Sequence, residues 1–311
     1  MPVKNSIVFF GTSYFASIIL KKLAANFCVL TVITQPDRPS GRKQQIMETE
    51  VKKTAKEMKI PFFQPENLND KNFLLLLKKY GAEAGVLAAY AQIVPKQVLK
   101  AFPKGILNVH PSLLPKYRGA SPVQTAIINN EKETGVSIIK LTDKLDAGPI
   151  LAQTKIAIND DDNNISLHEK CAFAGAQLFV KILPDYLSGN FVLKEQEESL
   201  ASMTYELRKE DGKVNWNDDA AKIFRIYRAY LGWPGIFTFL ENKRIKMTEI
   251  RFLNKNFTRK AGAITVSGQD IYVQCKNQSV QILKLKPEGK DEMTAGQYLL
   301  GHKKLSGNIF T

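Results

Sequence analysis

Short apolar segments alternate with amphipathic segments through residues 1–189, and this alternation limits the folds available to the chain. NSIVFFGT at 5–12 has the continuous apolar character of a buried strand, and SYFASIILKKLA at 13–24 has helical spacing. FCVLTVITQ at 27–35 repeats the strand pattern. Strand, helix and strand in this order predict a parallel α/β sheet.

The alternation continues and predicts a doubly wound, mostly parallel sheet of Rossmann-like type. Further helices are expected around 48–58, 70–80, after Pro122 and at 164–187, and strands at AGVLAAY, KGILNVH, GVSIIKL and PILAQTKIAI. Ligands of such sheets bind outside the carboxyl ends of the strands. NVH, residues 108–110, is therefore expected at a ligand-binding edge.

The pattern changes after residue 189, which predicts a second domain. Residues 190–206 are polar and aperiodic, as expected of a linker. Residues 207–311 combine one predicted helix, at 218–230, with five short strand patterns. Those strands are expected at 236–240, 243–252, 262–267, 270–275 and 279–285. Such a series fits a small OB-like β-barrel, a frequent platform for nucleic acid.

The charge of the chain points to a polyanionic partner. Its 311 residues carry a formal net charge of +14, and residues 206–311 hold 19 basic against 11 acidic side chains. Phosphate backbones reward clustered Lys and Arg through counterion release. A solvated strand face is an equally good interpretation of the basic stretch by itself.

Other features narrow the class of protein. The apolar run at the start of the sequence is too short for a secretory signal, and no apolar stretch approaches the roughly 20 residues that cross a bilayer. We therefore expect a cytoplasmic protein without a membrane partner. Cys28, Cys171 and Cys275 are scattered, so neither a disulfide framework nor a zinc site is expected, and no histidine spacing indicates another metal.

Asn108 and His110 are the first candidates for chemistry. They lie two apart on a predicted strand, so their side chains share one face. An amide can donate to a developing oxyanion, and a histidine can donate a hydrogen bond or move a proton near neutral pH. Asp143 and Asp146 lie on a later loop, and either could orient His110. Singly, each residue also fits a core histidine, a loop cap or a turn.

The combination resembles the signature of the folate-dependent formyltransferases: Asn-x-His, then Ser-Leu-Leu-Pro, and a later Asp. NVHPSLLPKYRGASP at 108–122 and LDAGPIL at 145–151 carry this resemblance. Similarity to the members that act on methionyl-tRNA covers nearly the whole chain. It includes TQPDRPSGR at 34–42, ETGVSIIKL at 133–141, KEDGKVNW at 209–216, RAYLGWPG at 228–235 and PEGKDEMTAGQYLLG at 287–301.

The resemblance implies a monomeric enzyme that transfers the formyl group of 10-formyltetrahydrofolate to the methionine of initiator methionyl-tRNA. It implies a catalytic domain at 1–189 and a tRNA-binding domain at 207–311. The implied catalytic residues are Asn108, His110 and Asp146. The implied folate-binding residues are Leu87, Ala89, Tyr90, Ser112, Leu113, Leu114, Pro115 and Asp143. The implied tRNA-binding residues are Arg38, Arg42, Lys43, Lys209, Arg225, Lys243, Arg244 and Lys246.

Three alternatives stay open at this point. The acceptor could be another amine, such as glycinamide ribonucleotide or an amino sugar nucleotide, or the site could release formate by hydrolysis. A nucleotide-binding module joined to a nonenzymatic RNA-binding domain is the third, although GTSYFA lacks the full glycine fingerprint. The sequence also departs from the family pattern at Ser13–Tyr14 and at Glu48–Thr49–Glu50.

Overall fold

The computed structural model of the chain describes residues 6–40 and 45–311. These residues form two compact units. Unit 1 contains the described residues up to 122 together with 132–158 and 166–204, and unit 2 contains 123–131, 159–165 and 205–311. Two short stretches that precede residue 189 thus belong to the same unit as the later part of the chain. The domain bounds inferred from the sequence stay a prediction.

Helices and strands follow one another much as the alternation predicts. Up to residue 110 they are β1 (Ser6–Gly11), α1 (Tyr14–Ala24), β2 (Cys28–Ile33), β3 (Arg38–Ser40), β4 (Gln45–Met47), α2 (Glu50–Glu57), β5 (Phe62–Phe63), α3 (Lys71–Tyr80), β6 (Ala84–Ala88), α4 (Lys96–Leu99) and β7 (Ile106–His110). Up to residue 204 they are β8 (Arg118–Gly119), α5 (Pro122–Ile128), β9 (Glu133–Lys140), β10 (Ile150–Ala157), α6 (Asn164–Ser188) and β11 (Met203–Thr204).

Local chemistry explains why these helices begin and end where they do. The Asp70 carboxylate accepts the backbone N–H of Phe73 and so caps the first turn of α3, which ends at Gly81 in a left-handed conformation. Thr49 caps α2 in the same way, by accepting the backbone N–H of Lys52. The segment Glu48–Thr49–Glu50, which departs from the family pattern, therefore supplies the residue that caps α2.

A seven-stranded sheet forms the centre of unit 1, in the order β10-β9-β7-β6-β1-β2-β5. The five strands β7, β6, β1, β2 and β5 are parallel to one another, which confirms the predicted mostly parallel sheet. β1 lies in the interior of the sheet, between β6 and β2, and is fully buried, as a strand covered on both faces must be. β6 and β7 pair side by side, so that Leu87 lies opposite Asn108.

The other edge of this sheet is an antiparallel hairpin. β9 runs antiparallel to β7, and β10 runs antiparallel to β9. The loop at 141–149 between β9 and β10 folds back and brings the carboxylate of Asp146 to the side chains of β7. The loop of this hairpin therefore places Asp146 beside the polar side chains of β7.

A six-stranded antiparallel sheet forms the centre of unit 2, in the order β12-β13-β16-β15-β14, with β17 paired to β16. Its elements are α7 (Ala220–Ala229), β12 (Ile236–Leu240), β13 (Lys243–Leu253), β14 (Ile264–Ser267), β15 (Asp270–Gln274), β16 (Ser279–Pro287), β17 (Met293–Thr294) and α8 (Ala295–Leu300). The five strands expected from the sequence are present close to their predicted bounds. β17 and α8 were not predicted.

Residues 308–311 bridge the two outer strands of this sheet. The Asn308 carbonyl accepts the N–H of Ile264 in β14, while Thr311 and Phe239 of β12 exchange backbone hydrogen bonds. Trp216 stacks on Phe310 beneath this connection, with ring centroids 6.0 Å apart. The bridging favours a closed barrel, and the OB-like topology stays a prediction. Within residues 6–40 and 45–311, no helix has the length and apolarity needed to span a membrane.

Candidate active site

Asn108 and His110 lie at the carboxyl end of β7 and reach the same carboxylate, as their two-residue spacing predicts. Both side chains are buried, with 7% and 4% of their surface exposed. The Asn108 Nδ2 donates to Asp146 Oδ1 at 3.3 Å, and His110 Nδ1 lies 3.5 Å from Asp146 Oδ2. The structure therefore brings the three predicted catalytic residues into one cluster.

Asp146 is surrounded by hydrogen-bond donors. Besides the two side chains of β7, the backbone N–H of Gly119 donates to Asp146 Oδ2 at 2.9 Å. A carboxylate only accepts hydrogen bonds, so Asp146 can accept from Asn108, His110 and the Gly119 backbone together. Asp143 has a different environment, because its exposed carboxylate pairs with Lys96 at 3.1 Å, and this hydrogen bond lowers the pKa of Asp143. The structure thus selects Asp146 from the two candidates.

The second ring nitrogen of His110 also faces an acceptor. His110 Nε2 lies 2.9 Å from the carbonyl oxygen of Tyr117, which can only accept a hydrogen bond. A doubly protonated ring satisfies Tyr117 and Asp146 together. This arrangement leaves no ring N–H free, so direct donation from His110 to an oxyanion requires exchange of the Tyr117 contact. The second amide hydrogen of Asn108 needs no such exchange.

Three non-glycine residues in the loops of this site have left-handed backbone conformations. They are Ala89, Tyr117 and Asp146, with φ angles of 43°, 62° and 47°. Such conformations cost on the order of 1–3 kcal/mol each, and they persist where surrounding contacts determine them. They occur preferentially at functional sites, which supports a functional role for this cluster.

Gly148 shapes the loop that carries Asp146. A β-carbon at this position would lie 1.8 Å from the Lys140 carbonyl oxygen, so the backbone would have to move. We expect Gly148→Ala to lower the free energy of unfolding by about 1–3 kcal/mol or more and to displace the Asp146 carboxylate. Urea unfolding measures this loss. Gly301→Ala is the control, since its nearest atom would be 3.9 Å away, and equal losses in both variants would contradict the prediction.

The predicted folate-binding residues lie in three segments of unit 1. Leu87, Tyr90, Ser112 and Leu114 are buried, Leu113 and Pro115 are half-buried, and Ala89 and Asp143 are exposed. Burial raises the pKa of the Tyr90 hydroxyl, which therefore stays neutral. The segment 112–115 is held by Ser137, whose hydroxyl donates to the Ser112 carbonyl and accepts the Leu114 N–H. Ser137 was not predicted, because its partners are distant in sequence.

The predicted tRNA-binding residues have varied surroundings. Arg38 is exposed and pairs with Glu66 at 2.7 Å, while Arg42 and Lys43 fall outside the described residues. Arg225 donates from Nε to the Ile128 carbonyl at 3.1 Å, which gives it a structural partner within unit 2. Lys209 and Lys243 are exposed, and Arg244 and Lys246 lie on β13.

The chain matches two family descriptions. Residues 4–183 match Formyl transferase, and residues 206–303 match Formyl transferase, C-terminal domain. The chain is 40% identical to methionyl-tRNA formyltransferase of Thermodesulfovibrio yellowstonii over 304 residues, 97% of each chain. It is also 40% identical to the protein of that name from Dictyoglomus turgidum over 309 residues, 98% of each chain.

Solved structures share the fold at low sequence identity. HypX from Aquifex aeolicus, in complex with tetrahydrofolic acid, has a TM-score of 0.68 and 14% identity over 96% of this chain. The matched region spans 48% of HypX, about half its length. Methionyl-tRNA formyltransferase from Clostridium thermocellum has a TM-score of 0.55 and 19% identity, over 81% of this chain and 95% of that one.

Proposed function

Because this chain belongs to the formyl transferase family, we propose that it transfers the formyl group of 10-formyltetrahydrofolate to the amino group of methionine on initiator methionyl-tRNA. The observation that carries the chemistry is the buried cluster of Asn108, His110 and Asp146. The acceptor is supported by similarity to methionyl-tRNA formyltransferases along nearly the full chain.

Asn108 and its neighbours suit an acyl transfer. 10-Formyltetrahydrofolate supplies the electrophilic formyl carbon. The neutral amine of the acceptor forms the new C–N bond while the carbonyl electron pair moves to oxygen. Asn108 is buried and keeps one amide hydrogen free of Asp146, so it can donate to that oxygen. The oxyanion pair then re-forms the carbonyl, the old C–N bond breaks, and its electron pair goes to the folate nitrogen, which takes up a proton.

His110 and Asp146 manage the charge that this step creates. The attacking amine becomes cationic and must lose a proton before the product is released. The Asp146 carboxylate lies 3.5 Å from His110 Nδ1 and keeps the imidazole ring oriented toward the site. The same carboxylate is a base within this cluster, and we propose that it relays the proton from the amine. No step requires a metal ligand from this cluster.

The surroundings of β6 and the two site loops fit a flat heterocycle with hydrogen-bonding edges. Ala89 follows the carboxyl end of β6, is exposed, and has a left-handed backbone and a small side chain. A ligand can therefore approach the backbone closely at this end of the strand. Backbone groups of 112–115 and 142–148 would hold the folate, with Leu87, Tyr90 and Leu114 as apolar walls. Asp143 would contribute through its backbone, because its carboxylate is committed to Lys96.

Unit 2 offers a surface for the tRNA, which we call the basic face: Lys213, Arg244, Lys246 and Lys286. Arg244 stacks on the Phe237 ring at 3.8 Å, and Lys213 lies 5.5 Å from the Phe239 ring. Lys246 lies directly opposite Lys286 on the neighbouring strand. Among the described residues, Lys286 is offset only by the exposed Asp291, at 3.9 Å. Like charges placed opposite each other destabilise a sheet, and a phosphate between the two lysines would remove that cost. Lys209 and Lys243 are further proposed tRNA contacts of unit 2. Arg38, Arg42 and Lys43, which follow Gln35 in the sequence, are proposed as a separate set of tRNA contacts.

Lys246→Ala should raise KM for methionyl-tRNA several-fold and leave kcat nearly unchanged. Loss of one phosphate contact should also reduce the slope of log K against log salt by about one. Steady-state kinetics at several salt concentrations measure both effects. Lys155→Ala is the control, because Lys155 is already neutralised by Glu133 at 2.7 Å. An unchanged salt slope in Lys246→Ala would argue against the basic face.

An acceptor comparison tests the proposed function. The protein is incubated with formyl-labelled 10-formyltetrahydrofolate and, in parallel, methionylated initiator tRNA, free methionine, glycinamide ribonucleotide and an amino sugar nucleotide. We expect label on the methionyl-tRNA alone. Label on a small amine would favour another formyltransferase, and free formate without transfer would favour a hydrolase.

A further inference from the structure

Residues 194–204, here called the strap, follow α6. They lie against two loops of the candidate active site, the one that contains Tyr117 and Arg118 and the one that contains Asp146. Lys194 exchanges backbone hydrogen bonds with Ile150 at the start of β10. Farther along, Met203 and Thr204 form β11 and pair with Arg118 and Gly119 of β8. The sequence predicts a linker over 190–206, and these contacts show that the strap part of it pairs with other segments of unit 1.

Gln196 connects the strap to the loop that carries Asp146. Its Nε2 donates to the carbonyl oxygens of Asp146 and Gly148, at 2.8 and 2.7 Å. Its Oε1 accepts from the Arg118 guanidinium, from Nε at 3.1 Å and from Nη2 at 3.0 Å. Every polar atom of this side chain therefore has a partner, and the donors hold the backbone of the residue that contacts His110.

Arg118 fixes Gln196 in this orientation. Only 4% of Arg118 is exposed, and its guanidinium makes two parallel hydrogen bonds of 2.9 Å with the Glu198 carboxylate. Arg118 lowers the pKa of Glu198, so the carboxylate stays charged near neutral pH. A planar fork of this kind sets direction as well as distance. Both ends of the guanidinium thus bind the strap.

The strap also holds the second acceptor of His110. The Ser202 hydroxyl accepts the backbone N–H of Tyr117 at 2.9 Å, and the Ser202 carbonyl accepts the N–H of Arg118 at 2.8 Å. These contacts fix the left-handed turn at Tyr117, whose carbonyl faces His110 Nε2. One segment therefore determines the positions of the groups on either side of the imidazole ring.

We propose that the strap is a positioning element for formyl transfer, with Gln196 as the positioning residue for Asp146 and Ser202 as the positioning residue for the Tyr117 carbonyl. This inference rests on the proposed function. Neither residue touches the reacting atoms. Their effect acts through the orientation of His110, so we expect it to lower kcat and to leave KM for methionyl-tRNA unaltered.

Gln196→Glu tests the inference with a side chain of the same shape. The new carboxylate still accepts from Arg118, so the strap stays attached, but it cannot donate to the carbonyls of Asp146 and Gly148. We expect kcat to fall about 10- to 100-fold, since small misplacements of catalytic groups have effects of this size. KM for methionyl-tRNA should match the wild type, and the midpoint of thermal unfolding should fall slightly, because the new carboxylate faces two carbonyl oxygens. Glu195→Gln, an exposed neighbour on the strap, is the control.

A strap that only stabilises the fold predicts the reverse, a normal kcat in Gln196→Glu, and that result would overturn the proposal. Ser202→Ala gives an independent check on the second arm, with the same expected loss of kcat at unchanged KM. Should Gln196→Glu fail to fold, a normal kcat in Ser202→Ala overturns the proposal by itself. Absence of formyl transfer in the wild type would instead reject the proposed function, so the two failures are distinguishable.

Discussion

Asn108→Ala is expected to lower kcat for formyl transfer about 100-fold or more, because removing one oxyanion donor costs about 2.7–4 kcal/mol of transition-state stabilisation. Asn108 is buried at the end of β7, and Asp146 binds one of its two amide hydrogens. The other is available to the substrate, and it matters only when charge develops on the formyl oxygen. KM for both substrates should therefore change little.

Steady-state kinetics with methionyl-tRNA and 10-formyltetrahydrofolate measure the Asn108→Ala effect. Asn190→Ala, at an exposed position after α6, is the matched control and should retain wild-type turnover. A near-normal kcat in Asn108→Ala at saturating folate would remove Asn108 from the mechanism. A rise in KM without a change in kcat would instead make it a substrate-binding residue.

Asp146→Asn is expected to reduce kcat by a factor on the order of 10³ or more, as when an amide replaces the carboxylate that orients a catalytic histidine. The carboxylate faces three donors, from Asn108, His110 and the Gly119 backbone. An amide has one oxygen, so its NH₂ group must face at least one of these donors. Each donor left unsatisfied also costs about 1–3 kcal/mol of stability.

Turnover and urea unfolding should be measured together for Asp146→Asn, since the change affects both. Asp185→Asn, an exposed carboxylate on α6, controls for the loss of one charge. The account fails here if Asp146→Asn keeps turnover within about tenfold of the wild type. A large loss of stability at normal turnover would assign Asp146 a structural role only.

Much of unit 1 could be predicted because its signals are local. Strand and helix patterns repeat every few residues, and the alternation rule alone places Asn108 and His110 on one face of β7. The choice between Asp143 and Asp146 could not be made from spacing. It depends on how the loop at 141–149 folds back, which the antiparallel pairing of β9 and β10 determines.

The parts that escaped prediction depend on contacts between residues distant in sequence. Arg118 and Gln196 are 78 positions apart, and a polar stretch such as 190–206 carries no periodic signal that would reveal its partners. The resemblance implies Arg225 as a tRNA ligand, and the fold adds a contact that the sequence does not reveal, from Arg225 Nε to the Ile128 carbonyl. Its role toward tRNA stays a prediction. A charged residue in a sequence indicates that its side chain needs a hydrogen-bonding or charged partner. Only the tertiary structure shows which residue or ligand that partner is.

Formylation of methionyl-tRNA in a single turnover tests the central claim most directly. Wild-type protein in excess is mixed with 10-formyltetrahydrofolate and methionylated initiator tRNA, and the methionine released from the tRNA is analysed by mass spectrometry. The account predicts N-formylmethionine with the wild type, and far slower formation with Asn108→Ala and Asp146→Asn. Unmodified methionine with the wild type, or equal rates in all three proteins, would contradict it.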